Sequence, residues 1–159
     1  MNQYIYIDGW KANLRFSSAH IIPEYEKCGR LHGHTYAIHA KIVGSPDENG
    51  IIIDFSLLKK KLRYIVHYLD HKILIPANHP NVLVKKTTKT IQLTSLGKSY
   101  QFPTSDCLLL PIKSTSAEHL SLYILEEIVK EFKHLDNITE IEVGVDEGFG
   151  QGARVSTEM

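Results

Sequence analysis

Cysteine is nearly absent: Cys28 and Cys107 are the only two in 159 residues, and no Cys-x-x-Cys occurs. A disulfide framework is therefore excluded, and a reducing compartment fits. No run of 18 apolar residues is present, which excludes an ordinary transmembrane helix. The opening stretch from Met1 to Trp10 lacks the charged-then-apolar pattern of a secretory signal, so a cytoplasmic location is expected. Net charge is missing too. Eighteen Lys and Arg balance eighteen Asp and Glu, and the sequence pI of 7.1 argues against a general nucleic-acid or polyanion binder, leaving room only for local basic pockets. Internal repeats, low-complexity tracts and Ser/Gly linkers are also absent. One domain over residues 1–159 is expected, and 43% hydrophobic residues suffice to give it a core.

Period-2 alternation predicts strands at Gln3 to Ile7, Leu14 to His20 and His32 to Val43. Leu14, Phe16, Ser18 and His20 share a face of the second; His32, His34, Tyr36, Ile38, Ala40 and Ile42 share a face of the third. The turn cluster from Gly44 to Gly50 precedes a short apolar run, Ile51 to Ile53, expected as a buried strand. Asp54 is a natural cap for a helix reaching about Tyr68, with Leu58, Leu62, Ile65 and Leu69 on one face. The lysines at 59, 60 and 61 point in different directions on such a helix, which makes them a solvated face and not a polyanion patch. Thr115 and Glu118 have the spacing of a capping box for a second helix, with Leu120, Ile124 and Ile128 at four-residue steps. Short strands are expected at Val82 to Val84, Thr90 to Leu93, Lys98 to Phe102, Thr139 to Val145 and Ala153 to Ser156. The fold class is α+β, in the order β-β-α-α-β-β with a β insertion between the helices.

Nine histidines are abundant for this length, and spacing separates them. In His32-Gly33-His34 the two imidazoles project from one side of an extended chain, while Gly33 leaves the other side open to close backbone approach. His20 ends the preceding strand. If those strands form a hairpin, three neutral imidazoles converge, the donor set of a catalytic zinc site with an open position. Coincidence is the plain alternative. Cys28, four residues before His32, could close such a site, act beside it as a thiolate, or simply be buried; Cys107, next to three leucines, fits the buried role.

Four motifs in order, Phe16-Ser-Ser-Ala-His20, Cys28-Gly-Arg-Leu-His-Gly-His34, Gly50-Ile-Ile-Ile-Asp-Phe55 and Leu69-Asp-His71, resemble the 6-pyruvoyltetrahydropterin synthase family. The three residues between Cys28 and His32 resemble its 6-carboxytetrahydropterin branch, which serves 7-deazaguanine (queuosine or archaeosine) synthesis. The likeness spans residues 1–71 and 114–159. It implies the tunnelling fold (T-fold), with an antiparallel sheet carrying two helices on one face and subunits assembled into trimers or hexamers with sites between them. It implies zinc on His20, His32 and His34, with Cys28 and the Asp70–His71 pair moving protons and Glu147 holding the pterin's guanidine-like edge. Glu118 and Thr115 match an element near the pterin pocket, although a helix-cap role accounts for them equally well. The implied substrate is 7,8-dihydroneopterin triphosphate. Alternatives are triphosphate elimination to the 6-pyruvoyl product, a zinc hydrolase on the same fold, and a non-catalytic zinc-stabilised binding protein in which Cys28 would fill the fourth position. The chain departs from the family pattern at Gly148, where threonine is usual, at Thr115-Ser116, where Pro-Thr is usual, and at residues 72–113. That long insertion is expected to form a hairpin at the sheet edge or over the pocket mouth. Lys27, Arg30, Lys41 and Arg154 are unranked candidates for the triphosphate.

Overall fold

A computed structural model describes residues 3–159. Its centre is β3 (His32–Gly44), thirteen residues long, whose two ends take different partners along one edge. The His32 end pairs antiparallel with β2 (Arg15–His20), placing His20 opposite His32; the far end pairs with β1 (Gln3–Ile7). The other edge of β3 is covered by β9 (Ile138–Glu147), which pairs in turn with β10 (Gly152–Glu158). Gly33 is where the hairpin demands a missing side chain. A Cβ there would lie 2.9 Å from the Ser18 carbonyl oxygen.

Both helices form as their apolar spacing dictates. The Asp54 carboxylate accepts the Ser56 N–H at 2.7 Å and starts α1 (Phe55–Leu69), which buries Leu58, Leu62, Ile65 and Leu69. The second helix, α2 (Ala117–Phe132), buries Leu120, Ile124, Ile128 and Phe132. These side chains join Phe16, Ile38, Ile42, Val143 and Val145 of the sheet in one core, so the architecture is α+β. The cap of α2 differs from the expected box. Ser116, not Thr115, is the N-cap, its hydroxyl accepting the His119 N–H at 3.4 Å.

The insertion is more than a hairpin. Its first and last strands, β4 (Lys72–Pro76) and β8 (Cys107–Leu110), extend the main sheet beyond β2 in parallel register and complete seven strands. Between them β5 (Val82–Lys86), β6 (Thr90–Ser95) and β7 (Lys98–Pro103) make a separate antiparallel sheet, followed by a 3₁₀ turn at Thr104–Asp106. A second apolar cluster, built on Ile21, Ile75, Val82, Ile91 and Leu93, welds this small sheet to the main one. Cys107 is half-buried on β8 and packs against that cluster. Ile51 to Ile53 are not a strand. Ile52 and Ile53 are buried, but the Ile52 carbonyl accepts from the Asn137 side-chain amide at 2.9 Å where a ladder bond was expected.

Gly33→Ala is expected to destabilise the protein by about 1–3 kcal/mol, because the new methyl must push the two backbones of the hairpin apart. Urea unfolding checks it; an unchanged midpoint would show that the hairpin tolerates a side chain there.

Candidate active site

The β2–β3 register gathers His20, His32 and His34, whose ligand nitrogens all lie within 4.8 Å of one another. Two of the three rings are held from behind. His20 Nδ1 lies 2.9 Å from the Thr115 carbonyl oxygen, and His32 Nδ1 lies 2.7 Å from that of Arg30. A carbonyl only accepts, so both Nδ1 atoms must carry the proton, and in the neutral rings both Nε2 atoms are bare acceptors. Those two lone pairs face each other at 3.0 Å. Such a juxtaposition is repulsive until an electrophile sits between the nitrogens, and a metal ion satisfies it with the carbonyl-backed geometry usual for ligating histidines. Burial pushes the His20 pKa down to about 4, and burial with the neighbouring His32 also lowers that of His34. Neutral imidazole is the ligating form. Three such nitrogens suit a borderline transition metal and not an oxygen-seeking calcium or magnesium ion.

Glu147, at the end of β9, approaches the same centre. Its carboxylate oxygens lie 3.9 Å from His20 Nε2 and 4.0 Å from His34 Nε2. Burial, then the charge of Glu118, raises its pKa. Glu147 and Glu118 share a cavity of about 490 Å³ with Cys28, Tyr25 and Ser116. With Ser116 as the cap, Glu118 is left facing this cavity. Thr115 is not at the cavity. It is wholly buried, its hydroxyl donating to the Ile21 carbonyl at 3.3 Å while its own carbonyl orients His20. Cys28 is exposed and outside the histidine cluster, which among the described residues comprises the three imidazoles alone. Tyr36, which sequence reasoning had only placed on the histidine face, packs edge-on to His20 and His34 with its hydroxyl buried and unpartnered.

Asp70 and His71 form a tight unit elsewhere. His71 Nδ1 lies 2.9 Å from Asp70 Oδ2, while Asp70 Oδ1 accepts the Ser17 N–H at 2.8 Å. Burial pushes the Asp70 carboxyl up, but these bonds outweigh it and hold the pKa below its ordinary value. His71 adopts a left-handed backbone (φ 57°), which stops α1 and turns the chain into β4. His71 borders a different concavity of about 550 Å³, with Ser17, Gly33, His34, Thr35 and Lys72 on its walls. Within one chain the structure does not bring it to the Cys28 cavity. Among the triphosphate candidates, Arg154 is taken up by Asp146 at 2.8 Å, and Lys41 lies over the Tyr4 ring. Lys27 and Arg30 flank Cys28 and stay exposed. Gly148 has φ +80°, a turn conformation that threonine adopts only under strain.

The family model of 6-pyruvoyl tetrahydropterin synthase matches residues 10–158. The chain belongs to the 6-pyruvoyl tetrahydropterin synthase family. Similar relatives include a protein of Methanocaldococcus jannaschii provisionally named 6-carboxy-5,6,7,8-tetrahydropterin synthase, 41% identical over 150 residues and covering 92% of both chains. The 6-carboxy-5,6,7,8-tetrahydropterin synthase of Bacillus subtilis is 38% identical over 66 residues, which are 39% of this chain and 42% of that one. The crystal structure of 6-pyruvoyl tetrahydropterin synthase from Plasmodium vivax superposes with a TM-score of 0.92 at 29% identity, over 100% of this chain and 99% of that one. The T-fold is thereby shown, insertion included. No helix among the described residues is long and apolar enough to cross a membrane.

The depressed His20 pKa has a consequence for the stability of the protein without bound metal. Between pH 6.5 and about 4 the unfolded chain binds a proton that folded His20 refuses, so stability falls as pH drops through that window and levels off below it. The loss is at most about 3 kcal/mol. Urea midpoints of parent and His20→Gln across pH 4–7 test it; parallel curves would remove His20 as the source.

Proposed function

We propose that the protein is a zinc-dependent lyase that converts 7,8-dihydroneopterin triphosphate to 6-carboxy-5,6,7,8-tetrahydropterin, with triphosphate leaving by elimination and a two-carbon fragment released from the side chain. The observation that carries this reading is the pair of bare Nε2 atoms on His20 and His32, facing each other beside Glu147 and next to the cavity that exposes Cys28. A zinc ion on His20, His32 and His34 supplies a Lewis acid for the oxygens of the pterin side chain. Glu147 accepts two parallel N–H bonds from the guanidine-like edge of the ring, an acceptor geometry that only a carboxylate offers there. Glu118 lines the same wall. Cys28 takes a proton from a side-chain carbon, and His71, kept in one tautomer by Asp70, returns one at the neighbouring carbon. Because His71, held by Asp70, borders another concavity in its own chain, the pair serves the centre of a neighbouring copy, and the working unit is an oligomer with sites at subunit interfaces.

The M. jannaschii relative and the three-residue spacing between Cys28 and His32 support the 6-carboxy product. The likeness to the P. vivax structure favours the second reading, elimination of triphosphate to the 6-pyruvoyl product. A closed, non-catalytic zinc site would need Cys28 among the ligands, and the histidine cluster lacks it. Mass spectrometry of the products from purified, zinc-loaded protein separates these readings. A 6-carboxy product is expected; a 6-pyruvoyl product moves the protein to the sister activity, and untouched substrate overturns both.

Cys28→Ala is expected to keep its zinc and lose at least a hundredfold in kcat, the usual scale for a missing proton-transfer group. Undiminished turnover would remove Cys28 from the reaction. Mixing Cys28→Ala with His71→Ala subunits is expected to restore part of the lost rate, since some interfaces then hold both groups. No recovery after verified subunit exchange would place both groups in one chain's site.

A further inference from the structure

We propose that His79, carried by the insertion, is a positioning residue for the Cys28 loop and acts through Glu24. The loop at 21–31 joins β2 to β3 and so connects His20 to His32. Most of it is exposed. Its internal bonds, Ile22 N–H to Cys28 O at 2.7 Å and Gly29 N–H to Tyr25 O at 2.7 Å, fold it on itself but do not fix it to the body of the protein. Glu24 makes that attachment. It borders the cavity that exposes Cys28, and one carboxylate oxygen meets His79 Nε2 in a short contact.

The geometry on the His79 side sets the direction of the bond. The imidazole is buried, and its Nδ1 accepts the Asn81 N–H at 3.0 Å. Nδ1 is therefore unprotonated and the ring proton sits on Nε2, aimed at Glu24. The backbone around His79 is itself tied to the insertion: Asn78 N–H donates to the Ile112 carbonyl at 3.1 Å, and Val82 N–H to the His79 carbonyl at 3.3 Å. A donor fixed in the insertion thus reaches into a loop whose other side-chain hydrogen bonds to the rest of the chain, among the described residues, lie at its ends, on the Ile21 and Arg30 carbonyls. Losing the tie frees the middle of the loop, where Cys28 lies, and leaves the ends, where the histidines lie.

The consequence for turnover rests on the reading of Cys28 as a proton-moving group; the tie itself does not, so the test begins with chemistry that needs no substrate. Alkylation of Cys28 by iodoacetamide, followed by mass spectrometry with half-buried Cys107 as the internal reference, reports loop mobility. His79→Ala and Glu24→Ala are each expected to change the Cys28 rate about threefold or more, and the double variant to equal either single, as for two ends of one interaction. Glu24→Gln keeps an acceptor oxygen for the Nε2 proton and is expected to retain the parent alkylation rate. Zinc content should be unchanged in all of them, while kcat falls in the alanine variants with little change in KM. Glu24→Ala removes an exposed side chain, which keeps the test open if His79→Ala does not fold. Parent alkylation rates in folded alanine variants, or independent effects that multiply in the double variant, would overturn the proposal. Altered alkylation with parent kcat would leave the tie standing and remove Cys28 from the reaction.

Discussion

The pairing of His20 opposite His32 is the constraint on which the candidate site depends. Strand side chains alternate, so a slip of one residue would turn an imidazole to the other face and dissolve the cluster. Several unrelated features hold that register. Gly33 admits the Ser18 backbone too closely for any side chain, Tyr36 stacks on Phe16 across the strands at 4.7 Å, and β9 clamps the far edge of β3. The geometry of the candidate site is set by sheet hydrogen bonds, which cost nothing further when a ligand arrives.

The same hairpin divides the chemistry. Its one face presents the histidines, with Glu147 brought alongside by β9, while its reverse face presents Gly33 and Thr35 to the concavity that His71 borders. Ser17 shows how closely these halves are bound. Its N–H donates to Asp70 and its carbonyl accepts from His71, both from the β2 strand that ends in His20. A displacement of β2 would therefore move the histidine cluster and the Asp–His pair together.

Much of this was legible in the sequence because it depends on local periodicity. Two residues of spacing put His32 and His34 on one face whatever the rest of the chain does, and the alternating four- and three-residue steps of Leu58, Leu62, Ile65 and Leu69 specify a helix face in the same way. The parallel strands β4 and β8 were not legible. Lys72–Pro76 and Cys107–Leu110 are short apolar runs without alternation, as expected of strands in parallel pairing with both faces covered, and their partners lie far away in sequence. Thr115 and Ser116 show a subtler limit. Either could cap α2 by composition, and the choice falls to Ser116 because tertiary structure buries Thr115 and gives its hydroxyl to Ile21.

The insertion changes how the site's stability should be regarded. Without it, β2 would be a sheet edge, and an edge strand frays and offers itself to other chains. With β4 and β8 laid beside it, the strand ending in His20 is interior, and its neighbour Ile21 lies at the heart of the second apolar cluster. That cluster begins one residue after a metal-ligand candidate and includes strands from the whole insertion. Local opening follows burial and hydrogen bonding, so the small sheet raises the cost of any fluctuation that would separate His20 from its partners. Residues 72–113 thus belong to the site's mechanical support, through the strand that bears the histidine, independently of any contact that they make with substrate.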